Sequence, residues 1–485
     1  MKNYYIIFLS ILMSSSVFAQ YDIEDVTLNG QDFKKITGAI DANETLDNTS
    51  LWIIADTLRV RQNAKLTITQ GTQIFAETPI TILIVNDDGS GAEVDWQGTS
   101  SEPIVFNALA NAPGQGAGDD SAGQWEGIRV NGSGNGSNSG VIRYLRVMHA
   151  GFGSDGNNAF ELNGVGNGTT VEYVQVYKND NRAIRLNGGD VNLKYAIATA
   201  GLNTGFRFDD DGTDGWTGAG QFWVVNKDVA GSASIESRDG SSPIISNVTI
   251  TGNGLNDPGS TPDGDGIRVR DDGNARIYNT VVTGVDRSVR IDNSDGISNG
   301  DSVFANSASF DNNPDQDNGT GFHSSAEVFN PTSGSYDSSF NNTVTPFTIV
   351  DSYVGTSTAN STSAGALDPF FDDVNYVGAV ESGGSDAWTF GWTVTLDGTV
   401  LSVSDNELMP EIQVYPNPVQ DNLMLNTNSN ISAVAIYNTL GGKIYEDLSF
   451  DNNKKQINMS QFERGIYLVK VISDNVPQTF KIIKK

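Results

Sequence analysis

The sequence predicts an all-β chain: a parallel β-helix solenoid over 20–405, followed by a small β-sandwich over 410–485. Three observations lead there. Between Gln20 and Pro410 no long apolar run has helical period, while short alternating runs bounded by Gly, Asn, Asp and Ser recur throughout. Two kinds of strand alternate along this stretch at a nearly fixed offset. Beyond Ser402 both the spacing and the charge change.

The N-terminus precedes the first strand. Met1, Lys2 and Asn3 lead into an apolar stretch from Tyr4 to Met13 and then SSSVFA, with Val17 and Ala19 at the small-residue positions of a cleavage site. This is expected to be a signal peptide over 1–19, cut after Ala19. An uncleaved anchor is disfavoured because the apolar run is about half of the roughly 20 residues that span a bilayer. No transmembrane segment is expected in the mature chain, and the chain has 0 cysteines, so neither disulfides nor thiolate metal sites enter the reading.

The first strand kind reads IRYLRV from Ile142, VEYVQV from Val171, LKYAIA from Leu193, ISNVTI from Ile245 and IYNTVV from Ile277, with Tyr or Asn third each time. The second reads GIRVNG from Gly127, FELNG from Phe160, IRLNG from Ile184, FRFDD from Phe206, IRVRDDG from Ile267 and VRIDN from Val289. Val171 to Arg185 and Leu193 to Arg207 are both 14 residues apart, and Ile277 to Arg290 is 13. One coil per repeat follows, with about ten coils in all and QFWVVN plus ASIESRDG forming a coil between Arg207 and Arg268. Extra residues such as GFGSDGNN after Ala150 follow the first strand kind, so they emerge from one edge of the solenoid.

LTITQGTQIFA, EPIVFNA, GQWEGIRV, VEYVQVY, GQFWVVNKD and DPFFDDVNYVGAV together resemble secreted bacterial right-handed β-helix proteins related in fold to pectate lyases. The resemblance implies the architecture and leaves the activity open.

The C-terminal segment carries IQVYPNPVQDNLML, AVAIYNTLGGKIYE, FERGIYLVKV and a terminal KIIKK. It resembles the type A C-terminal sorting domain of the type IX secretion system at Tyr415, Pro416, Asn417, Pro418, Gly441, Gly465, Tyr467, Lys484 and Lys485. That implies an outer-membrane type IX translocon as partner and delivery, through the periplasm of a Gram-negative bacterium, to the cell surface or medium. Gly465 and the Pro-Asn-Pro turn also suit any small sheet, so none of these residues is read as catalytic.

Charge divides the chain in the same place. From Glu411 onward 8 basic residues face 7 acidic ones, and with Lys2 set aside the total of −30 leaves −32 on the body. So acidic a body repels phosphate backbones, which argues against nucleic acid and suits calcium or a neutral or cationic partner.

Against this background, arginines stand out. Period-two alternation points Arg129, Glu161, Arg185, Arg207, Arg268 and Arg290 outward on one face. Stacked arginines need counter-charges, and Asp209, Asp210, Asp271, Asp272 and Asp292 are placed to supply them, as is an acidic ligand such as a uronate-containing polysaccharide. Arg185, Arg207, Arg268, Arg290, Asp271 and Asp272 are therefore the candidate ligand-binding residues. Asp265, Asp271, Asp272, Arg268 and Arg270 include the residue types of a Ca²⁺-dependent lyase without forming a motif, and no Gly-His-Gly or Arg-Ile-Lys segment of the polygalacturonase kind is present. His149 is expected at a turn or on the surface, and neither it nor His323 has a nucleophile motif.

Calcium is the one cofactor considered. Asp311, Asn313, Asp315 and Asp317 alternate oxygen ligands but lack the sixth-position glycine and a later Glu, and DDDGTDG from Asp209 is a second candidate. Phe370, Phe371, Tyr376, Trp388, Phe390 and Trp392 are expected to cap the open end of the solenoid. The leading expectation is a non-enzymatic surface or secreted protein that binds extracellular glycan. Its alternatives are a Ca²⁺-dependent polysaccharide lyase and a purely structural surface component.

Overall fold

A computed structural model describes residues 20–153, 157–227, 232–252, 264–285, 287–292, 302–310, 349–350, 354–355, 361–381, 388–395, 413–438, 443–447, 452–473 and 476–485. The expected signal peptide with its expected cleavage position Ala19, the calcium candidates Asp311, Asn313, Asp315 and Asp317, His323 and Gly441 lie outside these residues. The chain divides into two units, 1–402 and 403–485. No helix among the described residues is long and apolar enough to cross a membrane.

The first unit is a parallel solenoid that begins with an antiparallel hairpin, Gln20–Leu28 on Gln31–Ile40. From there the register is parallel from coil to coil. The first strand kind runs Gly140–Met148, Thr170–Tyr177, Leu193–Gly201, Ala219–Lys227, Ile244–Thr251 and Arg276–Thr283, each paired with the next. The second kind runs from Gly127–Asn131 to Arg287–Ile291 in the same way.

The recurrent third residue of the first strand kind has a backbone cause. Tyr144, Tyr173, Tyr195, Phe222, Asn247 and Asn279 all have φ between 50° and 59°, the left-handed region. Each bends its strand through a corner, so residues before and after it face different directions. Asn tolerates this conformation, but an aromatic residue does so only at a cost, of order 1–3 kcal/mol. Ring stacking offsets part of that cost. Tyr144, Tyr173, Tyr195 and Phe222 form a column with centroid separations of 4.2, 4.4 and 5.1 Å and interplanar angles of 6°, 9° and 11°.

Inside, a single apolar core runs from Ile36 to Phe304. Three of its tryptophans donate to carbonyls of neighbouring coils: Trp125 Nε1 to Met148 O at 2.8 Å, Trp216 to Val191 O at 3.0 Å and Trp223 to Leu193 O at 2.9 Å. Coils pack closely enough to exclude side chains at some crossings. A Cβ on Gly140, whose φ is +106°, would lie 1.8 Å from Val94 O.

The aromatic segment near the end of this unit does not cap the solenoid end. Residues 361–381 and 388–395 lie along its flank as a strap, over the corner columns. The reason is a rail of side-chain amides that treat the strap as another strand. Asn279 donates Nδ2 to Thr362 O at 2.9 Å and accepts from Thr362 N at 2.9 Å. Gln221 makes the same two-point contact with Asp372, at 2.8 and 2.8 Å. Asn247 Nδ2 donates to Tyr376 O at 2.8 Å, and Trp392 packs edge-on to Tyr144 and Tyr173, with centroids at 5.7 and 6.0 Å.

The second unit is an antiparallel sheet built on the long strand Asn422–Asn438, which pairs with Gln413–Tyr415, Lys443–Asp447, Asn452–Asn458 and Gly465–Ser473. Val476–Lys484 pairs with Gly465–Ser473. Its own core is formed by Leu423, Leu425, Ile436, Tyr467, Val469 and Ile482, among others.

Candidate functional site

Strand register fixes the outward charges of the second strand kind. Arg129 stands beside Glu161, then Arg185, Arg207, Glu236, Arg268 and Arg290 on successive coils. Glu236 was not among the ladder residues read from the repeats, because Ser-Ile-Glu-Ser lacks the apolar-Arg-apolar signature. Gly220, which pairs with Leu193, stands 16 residues before Glu236, against 14 from Leu193 to Arg207, so the repeat offset falls short of it. Two residues further on, the main-chain bonds Arg238 N to Phe208 O (3.1 Å), Arg270 N to Ser237 O (3.0 Å) and Asp292 N to Val269 O (2.8 Å) define a second outward column of Asp209, Arg238, Arg270 and Asp292.

The two columns interlock electrostatically. Asp209 accepts from Arg185 Nε at 2.8 Å and Arg207 Nε at 2.8 Å, and Arg238 Nε lies 3.3 Å away. Burial opposes ionisation of Asp209, but the charges of Arg207 and Arg185 and their hydrogen bonds win and hold its carboxyl below the usual range. Asp292 holds Arg268 Nη2 at 2.6 Å and Arg290 Nε at 2.7 Å. Glu236 takes Arg270, and lies 3.8 Å from Arg207 Nη1. Asp265 accepts from Arg287 Nε at 2.6 Å and lies 3.7 Å from Arg290. In Asp265 burial has the larger effect, and its carboxyl is pushed above its usual range despite Arg287, Arg290 and Arg268.

Where these columns meet, they enclose a cavity of ≈ 530 Å³. Its wall carries Arg182, Arg207, Arg238, Arg268, Arg270, Arg287 and Arg290 against only Glu236 and Asp265. Carboxylates hold Arg207, Arg270, Arg287 and Arg290 by the Nε edge, which orients each planar fork in advance. The side chains of Arg207 and Arg268 are only 11% and 27% exposed. The arrangement suits bidentate hydrogen bonding to carboxylate or sulfate oxygens.

Of the candidate ligand residues, Arg207, Arg268 and Arg290 line the cavity, and Arg185 stands one coil away in the same column. Asp271 is displaced to the turn after the strand, where it pairs with Arg238 at 3.3 Å and Arg270 at 3.1 Å rather than with Arg268. Asp272 is exposed beside it, with no ion pair among the described residues. The DDDGTDG turn is held by its own carboxylates: Asp211 Oδ1 accepts from Thr213 N at 3.0 Å and Asp214 N at 3.3 Å. No group of three or more His, Asp or Glu poised for a metal is found among the described residues.

His149 stands at a bend, one of the two placements expected of it, but is buried rather than on the surface. It follows its strand at φ 57° and is 4% exposed, with Nδ1 at 2.8 Å from Asn107 Oδ1 and Nε2 at 3.5 Å from Asp120 Oδ1. Burial lowers its pKa, against the pull of Asp120. It does not line the arginine cavity.

In the C-terminal unit, the motif residues converge on the last strand. Asn417 Nδ2 donates to Lys481 O at 2.8 Å, and Asn417 Oδ1 accepts from Ile483 N at 2.9 Å, so the Pro416-Asn417-Pro418 turn covers the strand edge. Gly465 pairs with Lys484, Lys485 N donates to Val419 O at 2.9 Å, and buried Tyr467 donates its hydroxyl to Glu463 O at 2.8 Å.

Comparison with known families agrees with this division. A pectate-lyase like beta helix domain matches residues 38–393. The chain belongs to that family. A secretion system C-terminal sorting domain matches residues 413–485, so this β-helix protein is a client of the type IX secretion machinery and is exported to the cell surface or extracellular space. An ulvan lyase of Nonlabens ulvanivorans is 36% identical over 91 residues, 18% of this chain and 17% of that protein. The chain therefore spans less than a fifth of that relative, and the match is too short to contain the β-helix domain. No solved structure matches the chain significantly.

Proposed function

We infer that the exported β-helix binds a polyanionic extracellular polysaccharide in the arginine cleft. The observation that carries this reading is the concentration of guanidinium groups: seven arginines against two carboxylates line one cavity of a chain whose net charge is −30, with Asp209, Asp239, Asp271 and Asp292 pairing them from outside that lining. In an otherwise repulsive field, such a cleft selects anions by position and rejects them elsewhere. Every coil in the cleft contributes arginine, from Arg207 through Arg238 and Arg268 to Arg287 and Arg290, and coils repeat at about 4.8 Å. A chain of charged sugars lying along the solenoid axis meets one cationic row per coil. Neutral glycans lack the charge that the cleft is built to hold.

The test is titration of the purified chain with sulfated, uronate-bearing and neutral polysaccharides at fixed ionic strength. Binding restricted to the anionic ligands, and weakened about tenfold or more by Arg268→Gln with Arg270→Gln, is expected, since charge-assisted hydrogen bonds contribute about 1.5–3 kcal/mol each. Equal affinity for neutral glycans would overturn the reading.

A second reading, cleavage of the same polymer, draws support from Asp265, a buried carboxyl whose pKa is raised inside the cleft. Unsaturated-product absorbance on acidic polysaccharides, with and without Ca²⁺, distinguishes cleavage from binding alone.

A further inference from the structure

In the C-terminal unit, side chains facing away from the core form an apolar stripe across four neighbouring strands. Tyr445, Ile436, Tyr467, Val469 and Ile482 face the core. By alternation, Ile444, Tyr437, Leu468 and Ile483 face outward. The register makes the stripe continuous: Tyr437 is opposite Leu468 and close to Ile444 through its pairing with Lys443, while Leu468 is opposite Lys481, two residues from Ile483 on the same face. Ile444, Leu468 and Ile483 are 40%, 42% and 42% exposed. Lys443, Lys470 and Lys481 are exposed around them.

Single exposed apolar residues need no explanation, but a rimmed apolar row across a sheet marks a surface that a partner covers. This unit has one partner already given by its family: the type IX machinery that exports it. We propose that the Ile444–Tyr437–Leu468–Ile483 face is the surface by which the sorting domain docks on that machinery, against a protein partner presenting an apolar strip with acidic flanks. The acidic preference follows from the lysine rim. Asn417 already occupies the main-chain edge at Lys481 and Ile483, which leaves this face, rather than strand addition there, as the place of contact.

The test uses the full chain expressed in a bacterium with an active type IX system, with the protein quantified in periplasm, cell surface and medium. Leu468→Thr with Ile483→Thr preserves strand propensity and removes the apolar stripe. It is expected to shift most of the protein to the periplasm, at least a fivefold fall in the exported fraction, while the purified chain melts as the unaltered protein does. Export at the unaltered level overturns the proposal. So does a lowered melting temperature with normal export, which would mean that the stripe packs on the rest of the chain. Should the double variant fail to fold, Lys470→Glu with Lys481→Glu leaves the apolar residues in place and carries the same expectation through the rim, with normal export again overturning it.

Discussion

Gln175 and Val394, 219 positions apart in sequence, bond to each other in both directions: the Gln175 amide donates to Val394 O at 2.7 Å and accepts from Val394 N at 2.7 Å. The contact is buried and is the strap's last amide clasp among the described residues. Gln175→Ala removes both of these bonds, and a buried backbone group that loses its partner costs about 1–3 kcal/mol. Release of the strap end relieves that cost by exposing Trp392, which is 0% exposed in the closed arrangement. The expected outcome is a red-shifted tryptophan emission with a lowered melting temperature. Unchanged emission would mean that the aromatic packing on Tyr144 and Tyr173 holds the strap unaided.

Asp209 should be far more costly to neutralise than any outer ion pair. Its carboxylate is buried and faces Arg185, Arg207 and Arg238. Asp209→Asn removes the closest counter-charge of Arg207, while Arg185 keeps Glu161 and Arg238 keeps Asp239 and Asp271, and breaking such a buried pair costs about 3–5 kcal/mol. Asp87→Asn, at a pair with Arg59 where both side chains are more than a third exposed, should cost no more than about 1 kcal/mol. Denaturant melts of the two variants side by side check the contrast.

His149 makes stability depend on pH in the neutral range. Its pKa in the fold is lowered by burial, although Asp120 and Asp119 act to raise it and Lys178 to lower it. Folding therefore favours the neutral ring. The associated stability is fully present above the unfolded pKa of about 6.5 and is lost as pH falls through the depressed folded value. Melting temperature should fall between pH 7.5 and 5, before most carboxylates titrate, and His149→Asn should flatten that fall. A slope unaffected by the substitution would assign it to other groups.

What sequence made legible was whatever leaves a periodic trace. The offset between strand kinds placed Arg185 on Arg207 and Arg268 on Arg290, and register confirms both pairs. The recurrent third-position Tyr or Asn was visible as a pattern, while its cause, a left-handed corner, becomes apparent only with backbone angles. Three things had no periodic trace. Glu236 sits in a strand that lost the repeat's consensus. The strap's path depends on contacts more than 80 residues apart, such as Asn279 with Thr362, which no local pattern encodes. The turn that carries Asp271 has two left-handed residues, Asp271 and Asp272, so which arginines Asp271 meets, Arg238 and Arg270, could not be read from spacing.

Acidification should strengthen ligand binding in the cleft, because Asp265 competes with any anion for Arg287 and Arg290. Its pKa is raised by burial, so it takes up a proton earlier on acidification than an ordinary aspartate does. A sulfate ester stays ionised throughout. Lowering pH from 7 toward 4 therefore removes one negative charge from the cleft and frees guanidinium donors without discharging the ligand. Affinity for a sulfated polysaccharide should rise several-fold over this range. Asp265→Asn should bind at pH 7 as tightly as the unaltered protein does in acid, with little further pH dependence. A uronate polymer gives the internal control, since its own carboxylates protonate at the low end and its gain should reverse there. Affinity for the sulfated ligand that falls on acidification would place the ligand away from Asp265.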